Sequence, residues 1–259
     1  MKTSTISPGT TQAWWRKPYP WLVVLGVLVI VNLLHAFPRY LSLDESHSRT
    51  MLNAGFSGHY ELLVLHVVTG NIAMVTVFLQ LWPWLRRHHP SVHRVSGRLY
   101  VFAGALPSAI VGGLVLVPLR PAPDGSLGLF LSAVLWIGTT VMGLRAARKR
   151  RYGEHRRWMV YSFALALHTT LGRVLFLMMT YIPGFKMNVT VLIETANWAS
   201  WVVGLLIAHW WLEQRRSRAK KAAGATARQA ARADADHVTD ELSLDGFDLE
   251  ELSKERTRS

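Results

Sequence analysis

Three histidines in the chain share one spacing, because each is followed four residues later by a glycine. The motifs are HVVTG at 66–70, HRVSG at 93–97 and HTTLG at 168–172. On a helix, residues four apart lie on one face, so each glycine would lie one turn from its imidazole. A glycine there lets a neighbouring helix approach closely, or leaves a flat surface for a planar ring such as haem. The spacing alone leaves both interpretations open.

Two ionisable residues lie inside strongly apolar stretches in the second half of the chain. Arg173 and Glu194 occupy segments at hydrocarbon depth, where an unpaired charge costs several kcal/mol. A buried Arg173–Glu194 ion pair is therefore predicted, with Asn197 one turn further along as an extra partner. Such a pair either pins two helices or forms part of a substrate, proton or haem-propionate site. The candidates for a buried polar site are His66, Gln80, His168, Arg173, Glu194 and Asn197.

A second group of histidines and arginines lies in two short basic loops between apolar stretches. One loop carries His93, Arg94 and Arg98, and the next carries His155 and Arg156. A neutral histidine can ligate a metal, and an arginine binds carboxylate or phosphate through two hydrogen bonds. The alternative is a pair of solvated basic loops that fix the orientation of the chain in a membrane. The chain has no G-x-S-x-G motif and no phosphate-binding glycine loop, so no hydrolase or transferase is predicted.

The elements that position these residues are apolar segments long enough to cross a bilayer. Half of the 259 residues are hydrophobic, 17% are charged, and the apolar residues are concentrated in blocks. About 18 apolar residues span about 30 Å of hydrocarbon as a helix. The sequence therefore predicts an all-α, polytopic transmembrane bundle of about six spans, at 20–36, 61–85, 99–119, 127–147, 158–182 and 189–212.

The net charge of +13 is distributed unevenly between the predicted loops. Most lysines and arginines fall on one side of the membrane if the N-terminus is inside, which is the positive-inside pattern. Both termini are therefore predicted to be cytoplasmic, in a multi-pass protein of the bacterial cytoplasmic (inner) membrane. No aromatic residues alternate with the basic runs as stacking platforms would, so nucleic-acid binding is not predicted. The absence of cysteine excludes disulfides and thiolate metal sites.

Three regions of different composition follow one another along the chain. They are a cytoplasmic N-terminal segment at 1–19, the transmembrane domain at 20–212 and a basic, then acidic, tail at 213–259. The acidic part of the tail holds few large apolar residues and is predicted to be disordered. Its stretch LSLDGFDLEEL is either a binding motif for a cytoplasmic protein or part of a solvated tail.

Several motifs resemble a known family of bacterial membrane proteins, domain of unknown function 2306 (DUF2306), over about residues 60–180. The resemblance implies a membrane location and a helical fold, and no activity. The matching positions are His66, Gly70, Gln80, His93, Arg94, Gly97, Arg98, Tyr100, His155, Arg156, Trp158, Met159 and Arg173.

The arrangement also resembles, more distantly, the dihaem b-type (b561-like) cytochromes. In those bundles, imidazoles on facing helices hold haem near each membrane face. The fourth span, 127–147, contains no histidine, so a complete dihaem pattern is not expected. The resemblance implies a single haem b between His93 and His155, or one between His66 and His35.

Three functions are consistent with these features. The first is a transporter or accessory subunit, embedded in the lipid bilayer, with a buried His/Arg/Glu site. The second is a haem b- or quinone-linked electron-transfer protein. The third is a scaffold that recruits a partner through its acidic tail. In the second, the ligands would be His66, His93 and His155, with Arg94, Arg98, Arg156 and Arg173 as propionate or quinone partners.

Overall fold

All regular structure in the described part of the chain is helical. The computed structural model describes residues 20–48, 51–120, 126–182 and 188–256, and the side chains as far as His237. The predicted cytoplasmic segment 1–19 lies outside the described residues. The helices are α1 Pro20–Ala36, α2 His59–Leu81, α3 Pro83–His88, α4 Pro90–Leu116, α5 Ser126–Arg148, α6 Tyr152–Ala166, α7 His168–Tyr181 and α8 Val189–Arg256, with short 3₁₀ turns at Pro38–Tyr40 and Glu45–His47.

The number of membrane spans agrees with the prediction from the sequence. Within the described residues, five helices are long and apolar enough to cross a membrane, and the bent pair of α6 and α7 passes the same test when it is taken as one span. Hydropathy identifies such spans well, because a helix of about 20 residues must bury its apolar side chains in hydrocarbon. The prediction of a helical, polytopic membrane protein is confirmed.

Two prolines begin helices near the sites where basic loops are predicted. Pro83 begins α3 and Pro90 begins α4. A proline fits the first turn of a helix, because the N–H that it lacks would have no partner there. The prediction that His93, Arg94 and Arg98 lie in a loop is therefore wrong, since all three belong to the first turns of α4. The same correction applies to the second loop, because His155 and Arg156 lie on α6.

The predicted fifth span, 158–182, is broken in two. Helix α6 ends at Ala166, α7 begins at His168, and the two axes differ by 42°. The backbone N–H of Leu167 donates to the carbonyl oxygens of Leu165 and Phe163, which tightens the last turn of α6. No proline is present in the stretch LALHTTLG. The sequence therefore gives no local signal of the break, and its hydropathy predicts one continuous span.

The centre of the bundle is a close contact between α2 and α4. A Cβ at Gly104 would lie 2.9 Å from the backbone of Ala73, so glycine is needed for this approach. Helix α4 is wound as a π-helix over Tyr100–Ala105 and Ala109–Leu116, a geometry that is frequent at functional sites. The side chain of Tyr100 on α4 is fully buried and packs edge-on against Phe163 of α6.

A hydrogen-bonded network of side chains crosses this core. The hydroxyl of Tyr100 lies 2.6 Å from the hydroxyl of Ser162 and accepts a bond of 3.0 Å from the indole N–H of Trp136. Thr140 bonds Ser162 across 2.7 Å. These side chains are buried, each of their polar groups satisfies another, and the network joins α4, α5 and α6.

The chain divides into two compact units, Met1–Ala208 and His209–Ser259. In the second unit the backbone is helical as far as Arg256, so the prediction of a disordered tail is wrong for the described residues. Helix formation depends on local hydrogen bonds, and the acidic stretch after residue 232 itself contains the strong helix formers Ala, Leu and Glu. The side chains at 215–237 are all exposed, as expected for a helix with few apolar residues.

Candidate functional site

A cavity of about 420 Å³ lies within the first unit and is lined by residues of α1, α2, α4, α5, α6, α7 and α8. A second cavity of about 440 Å³ shares part of its wall, including His168, Arg173 and Asn197. The spans alternate in direction, so the 37–58 segment and residue 120 mark the end of the bundle near this site. The polar lining of the first cavity consists of Asn32, Tyr40, His59, His66, Asn71, Ser108, Arg120, Ser132, Trp136, His168, Thr169, Arg173 and Asn197.

His66 is held against the π-helical part of α4. Its Nδ1 lies 3.0 Å from the carbonyl oxygen of Ser108 and 3.2 Å from the hydroxyl of the same residue. A carbonyl oxygen can only accept, so Nδ1 carries the proton and Nε2 of the neutral ring is an acceptor or ligand. A Cβ at Gly112 would overlap the imidazole. The position of the His66 ring therefore depends on glycine at 112.

His168 is oriented in a similar way at the break between α6 and α7. Its Nδ1 donates to the carbonyl oxygen of Leu165 across 2.6 Å, and Nε2 lies 3.4 Å from the hydroxyl of Ser132. The second distance is long for a hydrogen bond to a hydroxyl. His168 is buried and lines both cavities. In both histidines Nδ1 bonds a main-chain carbonyl oxygen, so Nε2 is the unprotonated nitrogen of the neutral ring.

Asn32 of α1 is the centre of a polar cluster that the sequence reasoning missed. Its Oδ1 accepts from Nη1 of Arg173 at 3.0 Å and from the hydroxyl of Thr170 at 3.1 Å. Its Nδ2 donates to Oδ1 of Asn71 at 3.0 Å. Asn32 and Asn71 are both buried. The only signal in the sequence is the occurrence of a neutral amide within an apolar span, which is costly unless it is hydrogen-bonded.

The H-x-x-x-G glycines face neighbouring helices, and a Cβ would be at ordinary contact distance at Gly97 and Gly172 but closer than that at Gly70. A Cβ at Gly70 would lie 3.3 Å from the hydroxyl of Ser108, and one at Gly97 would lie 3.4 Å from the amide of Gln80. A Cβ at Gly172 would lie 3.5 Å from the carbonyl oxygen of Ala196. These contacts support the interpretation of the motif as a site of close helix packing.

The structure brings some of the predicted buried residues together. His66, His168, Arg173 and Asn197 all line the first cavity. Glu194 is half-buried on α8, between the lining residues Ile193 and Asn197. The Arg173–Glu194 ion pair stays a prediction, since the contact shown for Arg173 is the hydrogen bond to Asn32.

Gln80 belongs to the opposite end of the bundle. Its Nε2 donates to the carbonyl oxygen of His93 and to the hydroxyl of Ser96, each at 2.7 Å, and so joins the end of α2 to the start of α4. At the same end, Nδ1 of His155 donates to the carbonyl oxygen of Gly143 at 2.9 Å. The predicted anion-binding side chains here, Arg94, Arg98 and Arg156, are exposed.

The described residues contain no group of three or more His, Asp or Glu side chains placed to hold a metal ion. Haem ligation needs only two imidazoles, so this finding does not bear on haem. The histidines that could ligate haem are His66 and His168 at the cavity, and His93 and His155 at the other end. Nδ1 of His93 is buried without a hydrogen-bond partner among the described residues.

The family model described as predicted membrane protein (DUF2306) matches residues 63–212. The chain belongs to this family. The match runs from α2 into α8 and leaves α1 outside. It extends 32 residues beyond residue 180, where the region recognised from the motifs ends. Asn32 and Tyr40 of this DUF2306 protein therefore contribute to the cavity from beyond the matched region. No curated protein and no solved structure matches the chain, and the distant resemblance to dihaem b-type cytochromes gains no support.

Proposed function

We propose that this DUF2306 protein is a transporter-like protein that binds a small polar molecule in the cavity. The observation that carries the proposal is the break in the span formed by α6 and α7. Ala166, His168 and Thr169 flank the break, and all three line the cavity. Irregular backbone is tolerated at membrane depth where it lines a cavity, and broken helices form the binding sites of many transporters.

The same proposal includes the orientation in the membrane. The positive-inside pattern puts both termini in the cytoplasm of a bacterial cell and the 37–58 segment outside. The cavity then opens towards the outer half of the cytoplasmic membrane. A substrate would reach His66 and Arg173 from that side in the conformation described.

Cysteine labelling tests this proposal directly, because the chain has no cysteine of its own. Val67 lines the cavity, whereas the adjacent Val68 is exposed on the outside of α2. The variants Val67→Cys and Val68→Cys therefore form a matched pair of the same residue type. Each is treated, in vesicles of known orientation, with a water-soluble thiol reagent that does not cross the membrane.

We expect the Val67→Cys variant to react with reagent in water, and the Val68→Cys variant to be protected by lipid. A transporter would expose position 67 to one face and, in a second conformation, to the other. Reaction from a single face under all conditions would favour a receptor or an accessory subunit. Equal protection of both variants would contradict a water-accessible cavity.

A second candidate function is electron transfer with a bound haem b or quinone. It is favoured by the geometry of His66 and His168, which each donate from Nδ1 to a main-chain carbonyl oxygen. Metal-ligating histidines usually have such a bond, because it fixes the tautomer and directs Nε2 to the metal. A haem, when bound, would supply one-electron transfer, and Arg173 would hold a propionate.

Absorbance of protein purified after expression with ample haem tests this candidate. A sharp α-band on reduction with dithionite, lost in His66→Ala or His168→Ala and retained in His59→Ala, would support it. His59 lines the same cavity and serves as the matched control. Loss of the band only in His93→Ala or His155→Ala would show that the haem binds at the opposite end of the bundle. Colourless, folded protein would reject haem binding, and with it the haem form of the candidate.

A further inference from the structure

Two histidines on the cavity face of α2 are held in opposite tautomers. Nδ1 of His59 accepts a hydrogen bond of 2.8 Å from the backbone N–H of Asn53. Because an accepting nitrogen carries no proton, the neutral ring of His59 is protonated on Nε2 and donates from it. Nδ1 of His66 instead donates to the carbonyl oxygen of Ser108, so its Nε2 is an acceptor. One ring therefore offers a donor and the other an acceptor.

The two Nε2 atoms are accessible from the first cavity. Both rings line it, although His59 is only 2% exposed. Every hydrogen bond shown for these two imidazoles is made by Nδ1. Neither Nε2 is among the described polar atoms that are enclosed by protein without a hydrogen-bond partner. Arg120 and Arg173 also line the cavity, but each already interacts with other groups. The two neutral imidazoles are therefore the groups that a ligand would satisfy.

The surrounding structure fixes both tautomers. Asn53 is itself held in place, because its Nδ2 donates to the carbonyl oxygen of Leu119 at 3.0 Å. The ring of His66 fits against α4 only because Gly112 has no Cβ. A reversal of either tautomer would break the hydrogen bond that Nδ1 makes to the backbone, which costs free energy away from bulk water. The order of donor and acceptor along the cavity is therefore fixed.

The spacing of the two histidines sets the length of a ligand that could bond both. They are seven residues apart, which places them on one face of α2 and about 10 Å apart along its axis. Leu63 lies between them on the same face and lines the cavity. An apolar side chain therefore separates the two polar nitrogens, and an apolar body of the ligand would be removed from water against it.

We propose that the cavity binds an uncharged molecule with a polar group at each end and an apolar body between them. One end accepts a hydrogen bond from Nε2 of His59, and the other end is a hydroxyl that donates to Nε2 of His66. A diol has this pattern, because a hydroxyl can donate or accept. This inference rests on the proposed binding function and specifies the class of its ligand.

Competition between two probes with the same carbon chain tests for the hydroxyl donor. The Val67→Cys variant, in phosphatidylcholine vesicles, is labelled with a water-soluble thiol reagent in the presence of 1,6-hexanediol or 1,6-dimethoxyhexane. The diol has donors and acceptors, whereas the ether has acceptors only. We expect the diol to slow labelling at an about fivefold lower concentration, which is the ratio expected for one neutral hydrogen bond. Labelling of Ser42→Cys, exposed outside the cavity, corrects for effects on the vesicles.

Histidine variants in the Val67→Cys background show whether the preference belongs to His66. In His66→Ala the preference for the diol should disappear. If this variant does not fold, His66→Phe keeps a ring at the position and makes the same test. In His59→Ala both probes should compete more weakly while the preference remains, because His59 bonds an acceptor that both probes carry. An undiminished preference in the His66 variants would overturn the assignment of the hydroxyl to His66.

The outcomes separate this inference from the proposed function on which it rests. Equal competition by the two probes would overturn the donor to His66 and leave a cavity that binds polar molecules. Competition by neither probe would overturn the two-ended ligand, while labelling of Val67→Cys would still show a water-accessible cavity. Absence of that labelling would overturn the proposed binding function itself.

Discussion

The guanidinium of Arg173 donates a hydrogen bond from Nη1 to Oδ1 of Asn32 across 3.0 Å, which joins α7 to α1. Through Asn32, the same cluster reaches Asn71 on α2. Helix α1 lies outside the region matched by the family model, yet its amide is the common partner of two helices inside that region. Asn32 therefore holds the first helix against the family core at the edge of the cavity.

We expect Asn32→Leu to lower the free energy of unfolding by about 1–3 kcal/mol, because the donors on Arg173 and Thr170 lose their buried acceptor and Oδ1 of Asn71 loses its donor. Thermal unfolding of the purified protein in detergent measures the loss. The matched control is Thr170→Val, which removes a single hydrogen bond to Asn32 and should have a smaller effect. Equal stability of Asn32→Leu and the unmodified protein would show that the cluster does not stabilise the fold.

The predicted Arg173–Glu194 pair is tested by a double-mutant cycle. Arg173→Ala should lower the yield of folded protein strongly, because Glu194 would be left as an uncompensated charge at membrane depth. Adding Glu194→Ala should then restore part of the yield. Size-exclusion chromatography of membranes solubilised in parallel gives the folded fraction. Losses that simply add would show that the two residues do not interact.

The spans could be predicted from the sequence because apolar length is a local property. The prediction of 20–36 coincides with α1, and 127–147 lies within α5. The polar cluster could not be predicted in this way. Asn32 is 39 residues from Asn71 and 138 residues from Thr170 along the chain, and a neutral amide within an apolar span matches no motif.

The break near Leu167 could not be predicted from the sequence for a different reason. Local signals for a break are proline or paired small residues, and the LALHTTLG stretch contains no proline. The imidazole of His168 supplies a hydrogen bond to the carbonyl oxygen of Leu165 at the break. This hydrogen bond exists only in the folded chain and has no counterpart in the hydropathy of the sequence. Hydropathy therefore predicts one continuous span. His66 and His168 belong to different predicted spans, and only the folded chain brings them to one cavity.

Gly112→Ala should disturb His66 specifically. A Cβ at this position would overlap the imidazole, so the ring must leave the carbonyl oxygen of Ser108 or α4 must move away from α2. Overpacking of this kind costs about 1–3 kcal/mol. The loss is read from the midpoint of thermal unfolding, and adding His66→Ala should recover most of it.

Gly138→Ala is the matched control for this substitution. No described atom outside its own helix lies within 4 Å of a Cβ at Gly138, so the change should be neutral or stabilise α5 by up to about 1 kcal/mol. A comparable loss of stability in both variants would mean that helix geometry, and not contact with His66, explains the need for glycine at 112.

Tyr100→Phe should weaken the centre of the bundle. The hydroxyl accepts from Nε1 of Trp136 and bonds Ser162, and Tyr100 is fully buried, so removal leaves buried groups without a partner. We expect a loss of about 1–3 kcal/mol. Tyr181→Phe is the control, because Tyr181 is 79% exposed and its hydroxyl should contribute little. An unaltered unfolding midpoint for Tyr100→Phe would assign the network no energetic role.

Reporter fusions test the orientation that the positive-inside pattern predicts. The segment near residue 150 holds a dense group of arginines, and the rule assigns such groups to the cytoplasm because positive charge is retained there during insertion. A reporter that is active only in the cytoplasm should therefore work when fused after residue 150 or 259 and be silent after residue 122. Paired fusions to a reporter that is active only outside the cytoplasm should give the reverse pattern. Activity of the cytoplasmic reporter after residue 122, with silence at the other two sites, would invert the topology and direct the cavity towards the cytoplasm.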